Sequence, residues 1–161
     1  MGLVRDALLG TVAGAAGTAA LNISTYADMA ARGRPSSDVP ATLVKSVASS
    51  AGVDLLAADE DTAANRRSGI GALLGYANGL GLGAIYGAVR PWVRTWVPLP
   101  LAGLVIGAAA MAMSDVPATR AGATDPATWG TAGWIADIVP HAIFGLVLAG
   151  TFESIDSAAT M

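Results

Sequence analysis

The chain has 161 residues, 53% hydrophobic and only 13% charged, with 35 Ala, 20 Gly, one His and no Cys. That is about half the charge of a typical soluble domain, which excludes a disordered chain. A net charge of −3, with nine Lys and Arg scattered along the sequence, argues against a nucleic-acid partner, and the missing Cys excludes disulfides, thiolate metal centres and a Cys nucleophile.

Three stretches contain no Asp, Glu, Lys or Arg: 7–27, 68–89 and 95–114. A fourth, 126–152, is broken only by Asp137. A hydrocarbon core about 30 Å thick takes roughly 20 helical residues. The sequence therefore predicts an all-α membrane protein. It is a single domain over 1–161, a four-transmembrane-helix bundle with spans at about 7–27, 68–89, 95–114 and 131–152. These runs lack the polar face that a soluble bundle helix needs.

The first span is longer than the apolar region of a secretory signal, so a retained helix is expected. It carries Gly10 and Gly14 at a spacing of four, with Gly17 beyond, and the polar Asn22 and Tyr26. Residues 28–67 form the one sizeable loop. Within it Pro40, Leu43, Val44 and Val47 predict a short amphipathic helix at about 40–50, with Asp38 as a possible N-cap and Gly52 just past its end. It is expected to lie on the membrane surface or on the bundle. The acidic run Asp59-Glu60-Asp61 reads as a helix N-terminus, where carboxylates oppose the macrodipole, and Arg66 and Arg67 as interfacial anchors.

The second span holds the clearest pattern: Gly71, Gly75, Gly79, Gly83 and Gly87, five glycines at a strict spacing of four. On a helix this is a ridge without side chains, along which a neighbouring backbone can approach closely. Each Gly costs about 0.8–1 kcal/mol against Ala in a helix, so close packing is the expected compensation. The ridge could pack within the chain or dock a partner subunit or a second copy. Asn78, in the same span, is expected to hydrogen-bond across helices, as is Asn22.

Trp92 and Trp96, with Arg90 and Arg94, mark the 90–100 connection as a headgroup boundary. The third span carries Gly103 and Gly107, a small face like that of the first. Asp125-Pro126 can open the next helix, with Trp129 and Trp134 at interface depth. In the fourth span Asp137 and His141 stand four apart on one helix face, His141 about 15 Å into the bilayer. Pro140 between them frees a backbone carbonyl near position 136. Asp137 and His141, with Asn22 and Asn78, are the candidate intramembrane polar site. The pair serves either as a satisfied structural contact or as a proton relay or ligand contact. Two ligands do not make a metal site, and no cofactor is expected.

This layout resembles the YagU-like family of small bacterial inner-membrane proteins. The shared features are a Gly/Ala-rich first span, a Pro-containing loop, a Gly-rich third span entered from a short connection and an acid-x-x-x-His step in the last span, here Asp137 and His141, with Pro140 where the family pattern has Gly. The resemblance implies an N-terminus inside the cell and brings no reaction with it. The charge count leans the other way: six Lys and Arg fall on the long-loop side and three on the other.

No nucleophile–base set, phosphate loop or dinucleotide fingerprint appears, so no enzyme activity is expected. The sequence points to a non-catalytic accessory subunit of a larger membrane assembly, such as a lipid or solute transporter. Its expected partners are the bilayer and other subunits or itself. The rival reading is a small oligomeric transporter or proton-linked channel using Asp137 and His141.

Overall fold

The computed structural model describes residues 2–50, 52 and 59–159, so part of the long loop lies outside the described residues. Among the described residues five α-helices follow in order: α1 (Leu3–Arg32), α2 (Val39–Ser50), α3 (Glu60–Val93), α4 (Leu99–Arg120) and α5 (Thr131–Ala158), with one 3-10 turn, Pro126–Thr128, before α5. There is no strand among the described residues. α1, α3, α4 and α5 are each long and apolar enough to cross a membrane.

The helices overrun the charge-free stretches that predicted them. α1 reaches Arg32 rather than stopping near 27, α3 begins at Glu60 rather than 68, and α5 continues to Ala158 rather than 152. The charge-free stretch marks only what lies in hydrocarbon, and the helix itself runs on until its backbone meets a cap. α1 ends where Gly33 takes the left-handed conformation (φ 64°). α3 starts where the Asp59 carboxylate accepts from the Thr62 amide at 2.9 Å. α4 begins at Leu99, four residues later than expected, because Pro98 holds extended backbone at its N-cap, and it runs on to Arg120 instead of ending at 114. The short amphipathic helix is present as α2, one residue longer than expected at its N-terminus.

Contacts place the long helices in the order α3–α1–α5–α4, with antiparallel neighbours. α3 and α4, at the two ends of this order, touch only slightly, and α2 lies against both. The bundle thus has two dissimilar ends. The N-terminus of α1, the α3–α4 connection and the C-terminus of α5 form one end. The long loop and α2 form the other.

The main core lies toward the first end and comprises Ala13, Leu82, Tyr86, Ala102, Ile106, Phe144, Leu148, Ala149 and Phe152. The Tyr86 and Phe152 rings meet edge to face at 5.5 Å. Toward the long-loop end the packing opens. Every residue of α3 from 72 to 78 and of α5 from 131 to 135 is exposed. Apart from the main core, the buried apolar side chains there are Val44, Ala63, Ala118 and Pro140, one each on α2, α3, α4 and α5.

Candidate functional site

Glycine contacts set how near the helices come. A Cβ on Gly10 or Gly14 would collide with the carbonyl oxygens of Gly83 or Gly79, and one on Gly87 with that of Asp6, so α1 and α3 meet backbone to backbone. Gly103 and Gly107 approach the α5 backbone in the same way, opposite Gly145 and His141. The sequence reading did not single out Gly145, although it fits the same small-residue logic on the facing helix. The five-glycine row does not act as one surface. Gly79, Gly83 and Gly87 are filled by α1, Gly71 meets Pro40 of α2, and Gly75 has open space around it.

An ionic network caps the closed end. Arg90, 5% exposed, donates to Glu153 at 2.5 Å and to the Val97 carbonyl at 2.7 Å. Asp156, 3% exposed, accepts from Arg94 at 2.7 Å and from Arg5 at 2.8 Å, and Arg5 also reaches Asp6. Pairing with Asp156 holds the Arg94 guanidinium above its ordinary pKa. Arg90 and Arg94, which the sequence places at a headgroup boundary, both pair with α5 carboxylates, Arg90 buried and Arg94 partly exposed. Trp92 and Trp96 do stand outside, 76% and 83% exposed. The three Arg and three acids balance, so the network ties α1, α3 and α5 together at their ends without net charge. Apart from Arg5–Asp6, its ion pairs join residues 62 to 151 positions apart, beyond the reach of any local motif. The one sequence signal was Glu153 and Asp156, two acids three apart on one face of the last helix.

Of the candidate polar residues, Asn22 donates to the Tyr76 hydroxyl at a long 3.5 Å, linking α1 to α3. Asn78 corrects its expectation: it is exposed and makes no hydrogen bond to another described residue. Asp137 and His141 do come together. His141 Nδ1 lies 2.8 Å from the Asp137 carbonyl oxygen and 3.2 Å from Asp137 Oδ1. Both neighbours are acceptors, so Nδ1 carries the hydrogen.

The sequence reading missed the third member, Asp115 of α4. It stands within electrostatic range of Asp137 and His141 on α5. Asp115 stands just after the 95–114 run and counted there only as the residue that ended it. Its own neighbour Ser114 donates to Oδ1 at 3.3 Å. Asp137 Oδ2 is fully buried and has no donor. On the outer side, an open groove of about 420 Å³ is lined by Met111, Asp115, Thr119, Arg120, Pro126 and Trp134. Among the described residues no group of three His, Asp or Glu converges as metal ligands would.

The architecture is that of a helical bundle with four helices able to span a membrane, which makes a multi-pass membrane protein the class it belongs to. No family model, no curated protein and no solved structure matches the chain.

Proposed function

We propose that the protein is a small, non-catalytic subunit of a larger membrane assembly, in a bacterial plasma membrane, with a lipid or solute transporter as one possible host. One observation carries this reading. Asn78 sits midway along a 22-residue charge-free stretch of α3, is exposed, and has no hydrogen-bonding partner among the described residues. Hydrocarbon offers an amide nothing to bond to, and an unsatisfied amide there costs several kcal/mol. Gly75, one turn away, leaves room for close approach. A helix of a neighbouring subunit, bringing a side-chain donor or acceptor to Asn78, would satisfy both features.

The chain has no native Cys, so single-cysteine variants test the reading cleanly. Asn78→Cys, cross-linked in native membranes, is expected to give one discrete adduct with a second membrane protein, and Leu104→Cys on α4 none. An Asn78→Leu chain is expected to fold and insert but to lose that neighbour. Adducts with lipid alone would overturn the reading, and an adduct of twice the chain mass would replace it with self-association.

The second reading, proton-linked transport, gains from Asp115. The intramembrane polar set becomes two carboxyls and an imidazole shared between two helices, rather than one pair on a single helix.

A further inference from the structure

We propose that the groove between α4 and the start of α5, at the long-loop end, is a binding site for one phospholipid whose headgroup carries both a phosphate and a primary ammonium. The site lies on α4 and α5 and does not depend on the subunit reading above, which rests on α3.

Helix geometry builds the floor of the groove. Ala108, Ala112, Val116 and Arg120 line it, four residues apart and so one above another on α4. Met111, Asp115 and Thr119 make a second such row beside the first. At 1.5 Å per residue the rows run roughly 18 Å along the helix. Pro126 of the 3-10 turn and Trp134 of α5 form the wall. That wall is fixed in place. The Trp134 ring meets Trp129 at 5.0 Å, Trp129 Nε1 donates to the Thr124 hydroxyl at 3.0 Å, and the Ala127 amide donates to Asp125 at 3.0 Å.

The lining changes character along its length. The charge-free run of α4 ends at Ser114, so Ala108, Met111 and Ala112 lie at hydrocarbon depth. Asp115, Thr119 and Arg120 lie beyond that boundary, at headgroup level with Trp134. Water has no polar partner in the lower half and would not be held there. Whatever fills the whole groove is therefore apolar below and polar above, and in a bilayer that is a lipid with one chain laid along α4. The small side chains of Ala108 and Ala112 leave the room for it, and a volume of about 420 Å³ is the size of one long acyl chain.

Charge selects the headgroup. Arg120 is exposed, and its side chain makes no ion pair or hydrogen bond with another described residue. A helical side chain covers the turn N-terminal to its own Cα, which brings Arg120 back over Val116, close to the level of Asp115. Asp115 is half-buried and accepts from Ser114 at 3.3 Å, which leaves acceptor capacity on its carboxylate. Opposite charges thus share one groove without pairing with each other. A phosphate satisfies Arg120 and the Thr119 hydroxyl, and a primary ammonium satisfies Asp115. A purely anionic headgroup would set a second negative charge beside Asp115, and a trimethylammonium has no N–H to give it.

Single-tryptophan chains, retaining either Trp134 or Trp92 with the other three replaced by Phe, are reconstituted in bilayers containing lipid with brominated acyl chains, which quench a tryptophan they touch. Brominated phosphatidylethanolamine is expected to quench Trp134 at a mole fraction about two- to five-fold lower than brominated phosphatidylcholine or phosphatidylglycerol, the gain from a charge-assisted contact at a partly exposed site. Trp92, at the closed end, is expected to show no headgroup preference. Asp115→Asn is expected to bring phosphatidylethanolamine and phosphatidylcholine level at Trp134, and Arg120→Gln to weaken all three lipids there. Ala112→Leu fills the apolar half without touching a charge. It is expected to remove the preference by excluding the chain, and it serves if a charge variant does not fold. Equal quenching of Trp134 by the three lipids overturns the proposal. So does a preference for phosphatidylglycerol, one that Trp92 shares, or one that survives both Asp115→Asn and Ala112→Leu.

Discussion

The two ends of this bundle are built from the same residue types and behave as opposites. At the closed end, glycines face glycines, the α1 and α3 backbones touch, and six charged side chains neutralise one another over a core of Tyr86, Phe144, Leu148 and Phe152. At the long-loop end, Gly75 of the same glycine row faces open space, Asn78 has no hydrogen-bonding partner among the described residues, and α2 bridges helices that barely meet. A row of glycines is thus permission for contact rather than contact itself. Whether it is used depends on what the facing helix presents, and α1 presents its matching Gly10 and Gly14 only along part of the row.

The largest expected effect breaks that contrast directly. A Cβ at Gly83 would run into the carbonyl oxygen of Gly10 and the backbone of Gly14, none of which is a flexible side-chain end. Gly83→Ala is expected to cost about 1–3 kcal/mol, and Gly83→Leu to prevent the closed end from forming. Gly75→Ala, in the same row of the same helix, meets nothing and regains helix propensity. It is expected to be neutral or to stabilise by up to about 1 kcal/mol. Unfolding in mixed detergent micelles measures both, and equal losses would mean that the two ends are packed alike.

A smaller effect is expected from the ionic cap. Removing Asp156 leaves Arg5 without its long-range partner and Arg94 without its carboxylate. A fully interior pair broken on one side costs about 3–5 kcal/mol, but this network lies at the bundle end, within reach of water. Asp156→Ala is therefore expected to cost about 2 kcal/mol, and Asp156→Asn less. Raised ionic strength should narrow the gap between them and wild type. An unchanged midpoint for Asp156→Ala would mean that glycine packing alone closes this end.

The sequence made the helices legible because a bilayer imposes its own ruler: a charge-free run of about 20 residues has one stable use. It also singled out most of the glycines that approach a neighbour, missing Gly145 and including Gly75, which faces open space, and it placed Asp137 with His141, since a spacing of four within one helix fixes a contact locally. What it did not show depends on neighbours distant in sequence. The Arg90–Glu153 pair was not legible because the two residues are 63 positions apart. Asp115 looked like the end of a span because the residues within its electrostatic range, Asp137 and His141, are on the next helix. Asn78 looked like a cross-helix bond because nothing local says that the space opposite it is open.

The smallest expected effect sharpens the comparison from the loose end, at the start of α3. The Asp59 carboxylate accepts from the Thr62 amide at 2.9 Å and from the Thr62 hydroxyl at 2.8 Å. These bonds favour its charged form and hold its pKa below the ordinary aspartate value. A carboxyl lowered on folding stabilises the folded form above its unfolded pKa, and that contribution disappears as pH falls through the lower, folded value. The cap should therefore be whole at neutral pH and lost only in acid below about pH 3.9. Its loss frees one amide of the first helical turn, next to Ala63, a buried residue of α3 at this end. Following the Thr62 amide resonance through an acid titration is expected to show a midpoint below that of a free aspartate. In Asp59→Asn, whose amide oxygen caps without ionising, that step should vanish. Resonances at Gly83 and Gly87 should not follow the step, because the closed end is held by backbone contact that no proton reaches. If they move with Thr62, the two ends are coupled along α3 and the division between them fails.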